Sequence, residues 1–330
     1  MPPIFGEQHA NVGVSKLTKA LVTGGAGFIG SNVVDKLISM GQEVVIFDNF
    51  STGRKSFVNP AAEVIEGSLT GNQTDLKRAL VGVSVVYHLA ANADVRDGWS
   101  HTSLDLEQNV IATCLLLQAC VDAGVEEFVF SSTGSVYGEA EIFPTPENAP
   151  FPTQTSLYGA SKASAESFIQ AYASAGKIKA TVFRFVSVLG PRYTHGHVID
   201  FTRQLEKDNS RLTVLGNGLQ RKSYMHVDDC VNAVVSLRGK NNFDLFNLGS
   251  NTFCTVRESI NWISNELGLN PEITYGESDR GWIGDNPFIW LDVTKANSNG
   301  WKTQTSIEES VRQTVRWLKK NPDVLIETPH

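Results

Sequence analysis

Short apolar, β-branched runs alternate with stretches of helical period through the first half of the chain. Residues 20–23 (Ala-Leu-Val-Thr) are followed by a glycine cluster and an amphipathic segment at 31–40. The next apolar run, 43–47, is followed by 63–65, a polar helical stretch at about 75–80, the run 83–91 and a long apolar helix from about 104 to 123. Residues 127–130 then read as a strand, 158 to about 175 as a helix and 180–185 as another strand. Strands that alternate with helices predict an α/β fold of Rossmann type, a doubly wound parallel sheet that takes its ligand at the carboxyl ends of the strands. Ala90, Ala91 and residues 131–133 fall at such ends.

Beyond Gly190-Pro191 the rhythm loosens into short strands and loops around Gly196, Gly216 and Gly218, with later helices expected near 256–267 and 307–319. The expected division is an N-terminal extension (1–17), a Rossmann domain (18–190) with a return segment at about 224–250, and a smaller C-terminal substrate-binding lobe (191–223 and 251–330). Trp262, Trp301 and Trp317 are expected to pack that lobe.

Composition narrows the class. With 41% hydrophobic and 19% charged residues among 330, the chain has the make-up of an ordinary globular protein. A net charge of -7 argues against a nucleic-acid-binding surface, so an anionic ligand needs a local positive pocket. Cys114, Cys120, Cys230 and Cys254 form no CxxC or Cys/His pattern, which argues against a metal site and a disulfide framework. No run of ~18 apolar residues and no signal-peptide pattern is apparent, so a soluble, cytoplasmic protein with reduced thiols and no membrane association is expected.

Three places carry candidate chemistry. Gly24, Gly25, Gly27 and Gly30 fit both GxxGxxG and GxGxxG between a strand and a helix, where backbone amides approach a pyrophosphate; a tight turn alone would also explain them. Asp48 ends the next strand, 18 residues beyond Gly30, where a carboxylate holds a ribose 2′-hydroxyl and repels a 2′-phosphate. NAD is thus favoured over NADP, although Arg54 and Lys55 are a basic pair that could accept the phosphate. Tyr158 and Lys162 share one helix face at i and i+4, a spacing that surface helices also show by chance. An ammonium near a phenol favours the phenolate, which can take a proton from an alcohol. His88 reads as a hydrogen-bonded histidine at the end of a buried strand rather than a catalytic one.

Taken together, TGGAGFIG (23–30), Asp48, HLAA (88–91), SSTGSVYG (131–138), YGASK (158–162) and LGPR (189–192) resemble the extended short-chain dehydrogenase/reductase family, the sugar-nucleotide epimerases and dehydratases. The resemblance spans about residues 18–320. The tail segment 279–285 (DRGWIGD), with Leu291-Asp292 and Gly300-Trp301-Lys302, looks most like the UDP-glucose 4-epimerase branch. The resemblance implies bound NAD, with Tyr158 as acid/base, Lys162 on the nicotinamide ribose and lowering the tyrosine's pKa, and Thr133 on the reacting hydroxyl. It places Gly24, Gly27, Phe28, Ile29 and Gly30 at the pyrophosphate. Asp48 and Asn49, followed by Ser51, Thr52 and Gly53, fall at the adenosine ribose, and Ser68 and Leu69 near adenine. Leu89, Ala90, Ala91, Asn109, Ser131 and Val186 complete the cofactor site. Ser187, His197, Val198, Leu215, Lys222 and Arg280 fall to the substrate, and Arg192 is a further candidate for its phosphates.

Relatives that eliminate water or decarboxylate carry an acid just after the Ser/Thr of the SST motif. Here Gly134 and Ser135 stand there, so no second acid/base pair is available and 4-epimerisation is favoured. Lys222-Ser223 where the family has Arg-Asp, Ser187 in place of Asn and Ser68 in place of Asp leave the identity of the sugar nucleotide open. A CDP-sugar 2-epimerase, a 4-keto reductase and a non-catalytic NAD-binding regulator are the other readings. Relatives pair the helices at roughly 104–123 and 157–175 into an intersubunit four-helix bundle, so a homodimer is expected.

Overall fold

A computed structural model describes residues 18–93, 97–150, 153–282 and 285–326. The expected N-terminal extension and two members of the tail motif, Ile283 and Gly284, lie outside the described residues. The strands are β1 (Lys19–Thr23), β2 (Glu43–Asp48), β3 (Glu63–Glu66), β4 (Val83–His88), β5 (Glu127–Thr133), β6 (Lys179–Phe185), β7 (Ser187–Leu189), β8 (Arg211–Val214), β9 (Arg221–Lys222), β10 (Tyr224–His226) and β11 (Phe243–Leu248). β12 (Cys254–Thr255), β13 (Glu272–Tyr275) and β14 (Phe288–Ile289) follow. Seven of them form one sheet in the order β11-β6-β5-β4-β1-β2-β3, with every pairing parallel. Strand order reverses between β1 and β4, and a crevice for a ligand opens at such a switch point.

The helices are α1 (Phe28–Ser39), α2 (Gln73–Ala79), α3 (Thr102–Asp105), α4 (Ala112–Ala123), α5 (Leu157–Ser174), α6 (His197–Lys207), α7 (Val227–Ser236), α8 (Val256–Leu267), α9 (Thr294–Ser298) and α10 (Ile307–Lys320). Both faces of the sheet are covered. One core joins α1, α7 and the C-terminal elements around Val22, Tyr87, Phe183 and Phe246, and the other joins α2, α4 and α5 around Leu21, Phe128 and Val182. The smaller sheets, β7 with β10, β8 with β13, and β9 between β12 and β14, lie outside the seven-stranded sheet.

Local chemistry sets the helix ends that matter for the site. Ser156 caps α5, its hydroxyl accepting from Gly159 N at 3.0 Å. Thr255 and Glu258 form a reciprocal capping box on α8. The helix α6 stands where the sequence suggests only short strands and loops, and α7 lies within the expected return segment, between β10 and β11. In α6 the inward positions Val198, Ile199, Phe201, Thr202 and Leu205 do recur with helical period, but over fewer than three turns.

The helical stretch Thr102–Ala123 reaches a mean hydropathy of 1.2 over an 18-residue window, long and apolar enough to cross a membrane by that measure. Ala112, Leu116, Leu117 and Cys120 nevertheless pack into the core beneath α5, as in a core helix.

Candidate active site

The end of β1 turns sharply at Gly24, which has φ +70° and lies so close to β4 that a Cβ there would meet Ala90 N at 2.7 Å. Only glycine fits that position. α1 then begins at Gly27 with no side-chain cap, leaving its first-turn amides free to face an anion. Asp48, at the end of β2, accepts from Ala26 N at 2.9 Å and Phe50 N at 2.8 Å, so its carboxylate is fixed beside the glycine loop with lone pairs to spare. Gly53 packs against the same carboxylate. Asn49 turns back on its own loop, accepting from Ser51 N and Oγ, and Thr52 is exposed beside it. Both members of the basic pair are engaged elsewhere, Arg54 with Asp323 and Lys55 with Glu66. The uncapped helix, the glycine cradle and the fixed carboxylate fit a dinucleotide of the NAD type.

Ser68 and Leu69 follow β3; the Leu69 side chain is buried, and Ser68 Oγ pairs with Thr70 Oγ1 at 3.2 Å. Leu89, Ala90 and Ala91 lie half-buried past the end of β4. Val186 is buried beyond β6, its amide donating to Leu248 O at 3.0 Å.

His88 is the hub beneath these residues. Thr113 Oγ1 donates its single proton to Asn109 O at 2.6 Å, so it accepts from His88 Nε2 at 2.9 Å. His88 Nδ1 then accepts from Thr23 Oγ1 at 2.8 Å, and Thr23 in turn accepts from Ala90 N at 3.3 Å. Burial holds the imidazole neutral, its pKa down at about 3. Asn109 sits in a π-helical turn, Leu106–Ile111. Its amide accepts from Asn92 N (2.9 Å) and donates to Ser161 Oγ (2.9 Å) and Asp105 Oδ1 (3.2 Å).

The tyrosine, the lysine and the threonine meet at the end of β5. Gly159 lets the start of α5 press onto the turn after that strand, since a Cβ would reach Ser135 O at 2.8 Å. Tyr158 is half-buried beside the Thr133 hydroxyl. Burial pushes its phenol up to about 12; the Thr133 hydroxyl works downward and the Asp105 carboxylate upward. Lys162 is buried, donates to Ser131 O at 2.9 Å and lies 4.7 Å from the Phe130 ring centre. Burial pulls its pKa down to about 7 against Glu166 and then Asp105. Thr133 Oγ1 accepts from Ser135 N at 3.1 Å. Asp105 and Glu166 belong to none of the motifs that mark the site in the sequence. Glu166 continues the Tyr158–Lys162 face at i+8, and Asp105 lies one turn before Asn109, so their spacing was the available signal.

Across the cleft, Ser187 is exposed at the start of β7. Lys222 pairs with Asp285 at 2.7 Å and donates to Asn286 O, while Arg280 pairs with Glu139 at 2.6 Å and reaches Asp285 O at 3.0 Å. Asp285 therefore links the two cations. Leu215 is exposed next to Gly281. His197 bonds Ser259 Oγ through Nε2 at 2.8 Å, its ring 5.0 Å from that of Tyr224, and burial with Lys222 nearby lowers its pKa to about 4. The Val198 side chain points into the core. Arg192 is turned away from this group, paired with Asp35 on α1 at 2.8 Å.

A family model described as the NAD dependent epimerase/dehydratase family matches residues 20–249, and the chain belongs to that family. A UDP-glucose 4-epimerase from Thermotoga maritima, solved with UDP-glucose, superposes with a TM-score of 0.85 at 34% identity, covering 92% of this chain and 100% of its own. The Thermus thermophilus UDP-glucose 4-epimerase, solved with NAD, gives a TM-score of 0.82 at 29% identity, covering 92% and 99%. UDP-glucuronic acid decarboxylase 1 of Arabidopsis thaliana is 30% identical over 324 residues, 94% of this chain and 72% of that protein. The chain is thus similar both to epimerases and to a protein named for a different reaction.

Proposed function

We propose that the protein interconverts the C4 epimers of a UDP-hexose of the glucose/galactose type through a transient 4-keto sugar. The observation that carries this reading is the pairing of Tyr158 with Thr133 at the end of β5, with Gly134 and Ser135 where an eliminating enzyme needs an acid. Gly134 faces Ile289 and Leu291 instead.

Thr133 orients the sugar 4-hydroxyl and Tyr158 takes its proton. Bound NAD supplies the acceptor for the C4 hydride and later returns it. With a phenol held near 12, Tyr158 needs a neighbouring positive charge to act as base, and Lys162 is the cation one turn along the same face. The keto sugar then turns about its pyrophosphate link, and Tyr158 gives the proton back on the other face. Lys222 and Arg280 hold the diphosphate, Lys222 as a point charge rather than a bidentate fork. Ser187, Leu215 and the backbone near His197 and Val198 line the sugar and base.

A homodimer through α4 and α5 belongs to the same reading. It is supported by Leu115 on α4, Phe168 on α5, and Leu106 and Ile111 on the π-helical turn that leads into α4, all of which expose apolar side chains. The free thiols of Cys114, Cys120, Cys230 and Cys254 support a cytoplasmic setting.

The test is to incubate the purified protein, without added cofactor, with UDP-galactose, UDP-N-acetylgalactosamine, UDP-galacturonate and CDP-sugars. Catalytic conversion of a UDP-sugar to its 4-epimer is expected. Stoichiometric consumption of nicotinamide would point to a reductase, and no conversion with NAD in the site would point to a regulator.

A further inference from the structure

The inward face of α5 carries a third polar rung that the chemistry above leaves unused. Glu166 lies one turn beyond Lys162 and two beyond Tyr158 and is 6% exposed. Arg184 on β6 grips its carboxylate through Nη2 at 2.6 Å and Nε at 3.1 and 3.2 Å, and the Ser132 hydroxyl of β5 donates to Oε1. Arg184 is itself held, donating to Glu147 O at 3.2 Å with its guanidinium 4.6 Å from the Tyr137 ring centre. Three consecutive residues of β5 thus meet three successive rungs of α5. Thr133 lies beside Tyr158, the Ser131 carbonyl accepts from Lys162, and Ser132 bonds Glu166.

A buried ion pair is a poor way merely to fasten a helix, because well-packed apolar side chains do so as well or better. The charge of Glu166 has a use one turn away. We propose that Glu166 is a positioning residue for the reaction. Gripped by Ser132 and Arg184, it sets the register of α5 on β5 and puts a negative charge behind Lys162 that keeps the ammonium charged at the cleft.

The groups facing Lys162 agree with this. From its own helix they are Tyr158 and Glu166, from α3 the Asp105 carboxylate, from β4 the neutral His88, and from β5 the Phe130 ring and the Ser131 carbonyl. Arg184 on β6 acts on it only through Glu166. Of the two carboxylates that oppose the effect of burial, Glu166 is the stronger and Asp105 the weaker. For turnover the inference rests on the epimerase reading, whereas its effect on the charge of Lys162 does not.

The test follows melting temperature and kcat from pH 6 to 10 in the wild type, Ser132→Ala and Glu166→Gln, with Lys162→Met as control. A lysine whose folded pKa is depressed binds fewer protons folded than unfolded, so its presence makes stability rise with pH above about 7. In Glu166→Gln the onset of that rise is expected about one pH unit lower, and the alkaline limb of kcat should move with it. Adding Lys162→Met should abolish the displaced rise. Ser132→Ala, which leaves the ion pair in place, should keep the onset and lose about ten-fold in kcat with little change in KM. An unmoved onset in Glu166→Gln, or wild-type kcat in Ser132→Ala, overturns the proposal. Should Glu166→Gln fail to fold with Arg184 left unpaired, the double variant Glu166→Gln/Arg184→Met removes both charges and is held to a smaller displacement in the same direction, the lost cation offsetting part of the lost anion. If the wild type turns over no sugar nucleotide, the epimerase reading fails, and the melting curves still decide the role of Glu166.

Discussion

The cofactor wall of the cleft and its substrate wall spend their polar groups differently. On the cofactor wall, Asp48, Asn109 and Lys162 are tied to backbone groups of neighbouring strands and turns, and His88 to the buried hydroxyls of Thr23 and Thr113, so their geometry is set by the fold. On the substrate wall, Lys222 and Arg280 each hold a carboxylate, Asp285 and Glu139, besides one loop carbonyl, Asn286 O and Asp285 O. A diphosphate can displace a carboxylate, whereas it cannot displace a strand. On the proposed reading the first wall is therefore preorganised, and the second is to exchange one set of anions for another on binding.

That contrast can be broken at either wall. The largest effect is expected from Tyr158→Phe, which should lower kcat by about 10²–10⁴-fold or more while NAD stays bound; steady-state rates and assay of the retained cofactor check it. Wild-type turnover would remove Tyr158 from the chemistry.

Next comes Lys222→Met. KM for the sugar nucleotide should rise by about 10–100-fold, with kcat and cofactor retention much less affected. A change in cofactor retention instead would show that the two walls are not separable.

The acid behaviour of the cofactor wall is a smaller effect. His88 has a folded pKa of about 3 against 6.5 unfolded, so its contribution is present above pH 6.5 and is lost as pH falls toward 3. Denaturant melts should show stability falling by on the order of a few kcal/mol over that window, and less steeply in His88→Gln.

The smallest change is expected from Glu139→Gln. It frees Arg280 from an exposed partner, so nucleotide affinity should tighten about two-fold with stability altered by less than about 0.5 kcal/mol. Isothermal titration with UDP reads the first and thermal melts the second; weaker binding would place Glu139 among the groups that hold Arg280 in position.

Much of the cofactor wall was legible because its devices are local. A glycine loop between strand and helix, an acid at the next strand end, and a Tyr and Lys on one helical face each declare themselves within a few residues. The structure brings Thr133 and Tyr158 together although 24 residues separate them, because β5 and α5 are consecutive units of one α/β rhythm. What stayed hidden is declared by no local pattern. Arg184 meets Glu166 across the gap from β6 to α5, Lys222 meets Asp285 across 63 residues, and α6 and α7 have apolar faces too short to stand out from their loops. The π turn at Leu106–Ile111 is likewise invisible to a 3.6-residue period.

The central claim is that a hydride leaves C4 and returns to C4. UDP-galactose carrying deuterium at C4, incubated with the enzyme and no added cofactor, tests it most directly by NMR of the products. The account predicts UDP-glucose with the deuterium still on C4. Deuterium found at C6 of a 4-keto-6-deoxy product would contradict it, as would loss of the label with stoichiometric formation of reduced cofactor.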